Sequence, residues 1–435
     1  MEFTIVGAGM AGAFLALSLG REGHTVTVYD LRPDPRVASG EGSSMNLGLS
    51  RRGLDALEHA GLRSEVDALV MPMRGRLLHD REGGLRFSTY GHGGILAIQR
   101  SDLGALLVDA AAKVPGVRFV FEARCTGIEK DTATAYFVDQ TTGKTLTAKA
   151  DVLVGADGVF SAVRRFLQHD ERAGYTQEFL EWGWRELHIP ARPDGGFRMD
   201  PDVFHLWPRG DTMMFAHPNR DGSFTCSCVL PFRGPRSFET LRDAGDVERL
   251  FRDLFPDLLE LVPDVGTWFF DRPTMNLVTT RTTPWHHEDK VVLVGDACHA
   301  VFPFLAQGMN AAFEDCRELV DSLRRHPDDP GVAFERYYSQ RKPNTDALAE
   351  MSRRNFAELR DTVRSPAVRV EKALDVALER VSGKRWMPLH AMVTNTTIPY
   401  ARAQRRAGRQ HRVLRALGVA GLVAAIGAAL RKRLS

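Results

Sequence analysis

Three short runs of this chain carry residues whose types and spacing suit a grip on a dinucleotide. In Gly7-Ala8-Gly9-Met10-Ala11-Gly12 the first glycine permits a tight turn, the second lets backbone approach a pyrophosphate, and the third lets a helix pack closely on a strand. A helix starting there would aim its dipole and its free N–H groups at the phosphates. Asp30 falls about where an acid would accept ribose hydroxyls. The second run is Gly155-Ala156-Asp157-Gly158, followed by Ser161, Val163, Arg164 and Arg165. The third is Gly295-Asp296-Ala297-Cys298-His299-Ala300, with Pro303 and Gln307-Gly308-Met309-Asn310 behind it. There an acid at a strand end can reach ribityl or ribose hydroxyls, and the glycine-rich helix start can receive the electron-rich side of an isoalloxazine ring. Any one run could be an ordinary glycine turn. Three in this order are far more specific.

Each run needs a strand to present it. Phe3, Thr4, Ile5 and Val6 read as a short buried strand, residues 13–19 as an apolar helix, and 25–29 as a second strand ending at Asp30. Residues 151–154 run into the second glycine turn, 291–294 into the third, and 307–323 read as a helix. These distant pieces predict one nucleotide-binding sheet. Between about 175 and 285 the pattern changes to alternating segments at 203–207, 212–216 and 224–230, punctuated by turn residues, which predicts an antiparallel sheet covering a substrate. From about 333 the chain reads as charged helix.

Composition narrows the function classes. A chain of 435 residues with 43% hydrophobic residues can bury a sizeable core in two or three units. Its 57 Lys+Arg nearly cancel 55 Asp+Glu, which argues against a nucleic-acid partner. The five cysteines are odd in number and form no CxxC pair, so neither a disulfide framework nor a zinc or other metal site is expected, and a reducing cytoplasm is the natural home. The first residues lack the basic and apolar pattern of a signal peptide, so secretion by that route is not expected. Near the end, residues 416–430 form an unbroken small and apolar run, with the arginines of 402–415 before it and Arg431, Lys432 and Arg433 after it. Fifteen residues fall short of the roughly 20 needed to span a bilayer. A membrane-surface anchor fits that run, as does a helix docked on protein.

The chain resembles the single-component flavoprotein monooxygenases related to p-hydroxybenzoate hydroxylase, and within them the kynurenine 3-monooxygenase branch. The match is carried by MNLGLSRRG (45–53), PMRGR (72–76), HLWPRGDTMMFAHPNRDGSFTCSCVLPF (205–232), GDACHAVFPFLAQGMNAAFEDC (295–316) and YYSQRKPNTDALAEMSRRNFAELRD (337–361). The resemblance implies an α/β fold with a Rossmann-like FAD-binding domain at 1–70, 96–174 and 286–332. A substrate-binding sheet domain would comprise 71–95 and 175–285, a helical region 333–411, and a tail 412–435. It implies FAD as cofactor, NADPH or NADH as co-substrate, and O2 with a small aromatic molecule as reactants. In such enzymes reduced flavin reacts with O2 to a C4a-hydroperoxide that the substrate ring attacks, so no protein nucleophile is expected.

By the same resemblance Asp30, Arg100, Asp157 and Asp296 would contact FAD, together with the first glycine turn, Pro303 and 307–310. The Asp157–Gly158 region would also help bind NAD(P)H. Arg74 would pair with the substrate carboxylate, assisted by Asn355, and Phe232, Phe304, Leu305 and His390 would line the pocket. The two carboxylate-binding tyrosines of the branch fall on Gly94 and His390, and Ser43 replaces an arginine. Those departures imply a larger pocket with a different polar end. His299 reads as a packed or hydrogen-bonding residue rather than a base. Competing readings are a hydroxylase of a larger aromatic intermediate, a flavin dehydrogenase or oxidase on the same fold, and a non-catalytic FAD-binding protein.

Overall fold

The computed structural model describes residues 1–37, 45–89, 94–168, 173–262, 264–361, 374, 378–379 and 385–414. Ser43 and the apolar run 416–430 lie outside the described residues.

Glu2–Val6 is buried at all but its first position, as a strand covered on both faces must be. It pairs in parallel with Thr25–Tyr29 on one side and Val152–Gly155 on the other. Val117–Val120 and Val291–Leu293 extend this sheet in parallel, and the short His286–His287 strand closes it antiparallel. The helices Met10–Arg21 and Gly308–Arg325 pack against each other beside it, with Phe14 and Phe313 rings 4.6 Å apart. All three glycine turns thus emerge from one sheet, at the carboxyl ends of adjacent parallel strands, where ligands of such folds bind.

A seven-stranded sheet stands beside it in the order Met275–Thr283, Gly174–Ile189, Phe224–Pro231, Thr212–Pro218, Val203–Arg209, Gly75–His79 and Leu85–Thr89. Its pairs are antiparallel except Val203–Arg209 with Gly75–His79. Side chains alternate across it. Trp207, Met214, Ala216, Cys226 and Cys228 face a core closed by the helix Ala244–Leu254. Trp184, Leu206, Met213 and Phe215 face the other way. All five cysteines are free.

A three-stranded sheet joins the two units: Ile95–Gln99 lies between Asn46–Leu49 and Met71–Met73. The stretch expected to belong wholly to the substrate sheet therefore divides. Residues 71–73 join the small sheet, and 75–79 and 85–89 join the large one. The long helix Pro330–Asp361 and the helix Leu389–Thr394 close the assembly.

Candidate active site

One cavity of about 330 Å3 runs from the first glycine turn to the large sheet. At the dinucleotide end it is bordered by Gly9, Met10, Ala11, Ala156, Gly158, Arg100 and Asp296. The Met10–Arg21 helix has no side-chain cap at its N-terminus, which leaves its first N–H groups for an anion. Close packing dictates Gly12, since a Cβ there would sit 1.8 Å from the Gly7 carbonyl oxygen. Asp30 is buried; its Oδ2 accepts from the Ala8 N–H at 2.6 Å, and its Oδ1 accepts from Arg32, so it braces the glycine turn from the next strand. Asp157 accepts from the N–H groups of Ala162 and Val163 at 2.6 and 3.2 Å, and from the Ser161 hydroxyl. Its carboxylate thus caps the helix Ala162–Leu167, while its neighbours Ala156 and Gly158 border the cavity.

Asp296 is different. Its side chain opens into the cavity and makes no hydrogen bond among the described residues. Desolvation by the cavity walls raises its pKa, against the opposing charges of His299 and Arg100, although the side chain is open to solvent through the cavity. An acid held this way is an acceptor awaiting hydroxyl donors. Pro303, Phe304, Leu305, Gly308 and Met309 form the adjoining wall. The Gly308–Arg325 helix begins there, with neither a side-chain cap nor an acid in its first turn, so its positive end faces the cavity. Gln307 and Asn310 act behind this wall. Gln307 Oε1 accepts from the Tyr400 hydroxyl at 2.9 Å, and Asn310 clamps the Asn46–Leu49 strand through the Ser50 N–H and the Gly48 carbonyl. An uncapped helix at the glycine turn, open space at Gly9 where a side chain would intrude on the cavity, and an unpartnered acid suit FAD.

A buried ionic network holds this end in place. His299 Nε2 lies 2.5 Å from Asp315, which also accepts from Arg341 at 2.6 Å, and Arg341 reaches Glu314 at 3.0 Å. Arg52 binds the other oxygen of Glu314 at 2.8 Å. Burial pushes the Asp315 carboxyl up, but His299 and Arg341 outweigh it and hold it below the usual range. The short helix Asp296–His299 is thereby tied to both long helices.

The far end of the cavity is apolar, lined by Met73, Trp184, Phe204, Leu206, Met213, Phe215 and Phe304. Its polar members are Arg76, His217 and His390, with Asn46 at the junction. Arg76 donates to Nε2 of His390 at 2.6 Å. Arg74, expected to hold an anion there, is placed elsewhere. Its side chain is 61% exposed, pairs with Asp200 at 2.7 Å and lies over the Phe87 ring. The strand breaks between Met73 and Gly75, and in the gap the Arg74 N–H binds the Asp202 carbonyl. Arg76 has the inward place instead, paired across the sheet with Phe204. Asn355 donates to the Phe304 carbonyl at 2.8 Å, fixing a wall residue from behind. Phe232 packs against Phe238, away from the cavity lining. Gly94 has φ +63°, and a Cβ there would meet the Met73 carbonyl oxygen at 2.6 Å, so this backbone suits glycine and not a larger residue. Sequence reading overlooked Arg76 and His217. Alternation along 213, 215 and 217 was the signal for the second.

A dinucleotide sheet joined through one cavity to an apolar antiparallel sheet is the architecture of a flavoprotein aromatic hydroxylase. Residues 1–352 match the family model described as an FAD binding domain. The chain is 47% identical over 430 residues to kynurenine 3-monooxygenase of Salinispora arenicola, covering 98% of this chain and 94% of that one. It is 38% identical to kynurenine 3-monooxygenase of Dictyostelium discoideum, over 92% and 90% of the two chains. Among solved structures, 2-methyl-3-hydroxypyridine-5-carboxylic acid oxygenase superposes with a TM-score of 0.68 at 22% identity, covering 84% of this chain and 94% of that one. PqsL of P. aeruginosa, in complex with 2-aminobenzoylacetate, gives 0.64 at 22% identity, covering 83% and 97%. These two share the fold. The chain belongs to the kynurenine 3-monooxygenase family of FAD-dependent aromatic monooxygenases, which draw electrons from NAD(P)H. Among the described residues no helix is long and apolar enough to cross a membrane.

Proposed function

We propose that this chain hydroxylates the ring of kynurenine or a closely related aminobenzoyl amino acid. The observation that carries the reading is Arg76 beside His390 at the end of a mostly apolar wall, a guanidinium placed to meet a carboxylate. The family relationship supports the same substrate. FAD, once bound and reduced by NAD(P)H, supplies the activated oxygen. Asp296, Arg100 and the Gly7–Gly12 turn hold the cofactor, with Gly158 beside them. Trp184, Phe204, Met213, Phe215 and Phe304 exclude water and hold the ring, and Asn355 keeps Phe304 in place.

The test uses purified, FAD-loaded protein with kynurenine under 18O2. Kynurenine-stimulated NAD(P)H oxidation with one labelled oxygen in the product is expected. Product without label would identify a dehydrogenase or oxidase, and no stimulation by kynurenine would remove it as substrate. The tail beyond Arg412 is proposed to bind a membrane surface, on the strength of its apolar run and basic flanks. Deleting it should move the protein from pelleted anionic liposomes to the supernatant, whereas equal pelleting would favour docking on protein.

A further inference from the structure

Arg76, Phe204 and His217 form a row across three neighbouring strands. The parallel register sets Phe204 beside Arg76. The antiparallel register, with His205 opposite Ala216, sets Phe204 beside His217, and their rings lie 4.7 Å apart at 51°. Two strand spacings place Arg76 and His217 on the order of 10 Å apart along the wall. All three border the cavity.

His217 stands out among its neighbours. Met213 and Phe215, on the same face of its strand, are apolar, as are Leu206 and Trp184 nearby. Its imidazole has ring contacts with Phe204 and Phe215 but no hydrogen bond among the described residues. Burial pushes its pKa down to about 4, so at neutral pH the ring is uncharged and one nitrogen offers a lone pair. The backbone behind it is anchored. Asn46 Nδ2 donates to the Pro218 carbonyl at 3.3 Å and to Asn219 Oδ1 at 2.8 Å, and Asn219 Nδ2 donates to Ser223 and Thr225. A polar group presented on a rigid strand into an apolar cavity gains most from a ligand that supplies the missing partner.

We infer that His217 is a specificity-determining residue that accepts a hydrogen bond from an N–H or O–H substituent on the substrate's aromatic ring, while Arg76 takes the carboxylate at the other end. The inference rests on the aminobenzoyl reading above and adds the group that orients the ring. Drawing an arylamine hydrogen toward the imidazole also pushes electron density into the ring, which suits attack by an electrophilic oxygen. A residue that merely filled the wall would not distinguish ring substituents.

The experiment measures dissociation constants on the FAD-loaded protein by flavin fluorescence, for kynurenine and for its analogue lacking the ring amine. Wild type, His217→Leu and His217→Gln are compared. The leucine variant should weaken kynurenine about tenfold and leave the analogue unchanged, while glutamine, which keeps an acceptor, should retain most of the affinity. Equal effects of leucine on both ligands, or none on either, would overturn the inference. If wild type fails to bind kynurenine, the substrate reading fails. The same comparison with 2-aminobenzoylacetate against benzoylacetate then decides His217 separately, and binding of neither overturns it as well.

Discussion

Arg76 and His390, 314 positions apart in the chain, meet through a 2.6 Å hydrogen bond at the polar end of the cavity. Arginine can only donate, so the bond uses the Nε2 lone pair of His390 and sets its tautomer. The contact joins the Gly75–His79 strand to the Leu389–Thr394 helix, and in the substrate reading proposed above it marks the place for an acidic substrate end. Arg76→Ala should raise KM for the acidic substrate about tenfold or more, the order of one charge-assisted hydrogen bond of roughly 1.5–3 kcal/mol. Arg74→Ala, on the outer surface with Asp200, should leave KM within about twofold. Steady-state kinetics of the two variants checks this, and the reverse ranking would return the anion site to Arg74.

Asp296 matters to the loaded protein more than to the cofactor-free fold. Its carboxylate is exposed in the cavity and has no protein donor among the described residues. Asp296→Asn should therefore lower the FAD retained per chain after gel filtration, with little change in the thermal midpoint of FAD-free protein. Wild-type FAD content in this variant, and in Asp296→Ala, would take the residue out of cofactor binding.

The Arg341–Asp315–His299 network should be costly to break. Removing one partner of a buried ion pair leaves the other charge uncompensated, with a penalty on the order of 3–5 kcal/mol. Arg341→Met should lower the thermal midpoint sharply. The folded pKa of Asp315 lies below its ordinary 3.8, so its contribution is in place above that pH and is lost as pH falls through the folded value. Thermal midpoints measured from pH 7 down to pH 3 should accordingly fall less steeply in Asp315→Asn, from a lower starting point.

Glu186 should produce a pH effect of the other sign. Burial pushes its carboxyl up from 4.5 to about 7, against the opposing charges of Arg272 and Arg100, and its Oε1 has no hydrogen-bond partner. A raised folded pKa means stability is fully present below the ordinary value and is lost as pH rises through the folded one. Glu186→Gln should flatten the decline in thermal midpoint between about pH 4.5 and about pH 7. Parallel profiles for the variant and wild type across that interval would contradict the assignment.

The dinucleotide half of this protein was legible in the chain because its signals are local. Gly7 and Gly12 must lie within one turn for the helix to pack, and the apolar runs at 3–6, 152–154 and 291–293 are what strands buried on both faces require. Asp296 comes three positions after such a strand, so its place at the cavity could be read from its neighbours. The substrate half depended on tertiary structure. Arg74 and Arg76 share the same parity, and strand alternation cannot choose between them. The break at Arg74, whose N–H binds Asp202, turns its side chain outward and leaves Arg76 inside. Asp157 and Asn310 sit in motifs that suggest ligand contact, yet their side chains make bonds internal to the protein, a helix cap and a strand clamp. His217 sits in a strand visible as alternation, but only the packing of that strand against Phe204 and the Asn46–Leu49 segment shows that its ring points into the cavity without a partner. Local spacing determines which backbone turns can exist; which side chains then face one another across hundreds of residues is decided by how sheets and helices pack.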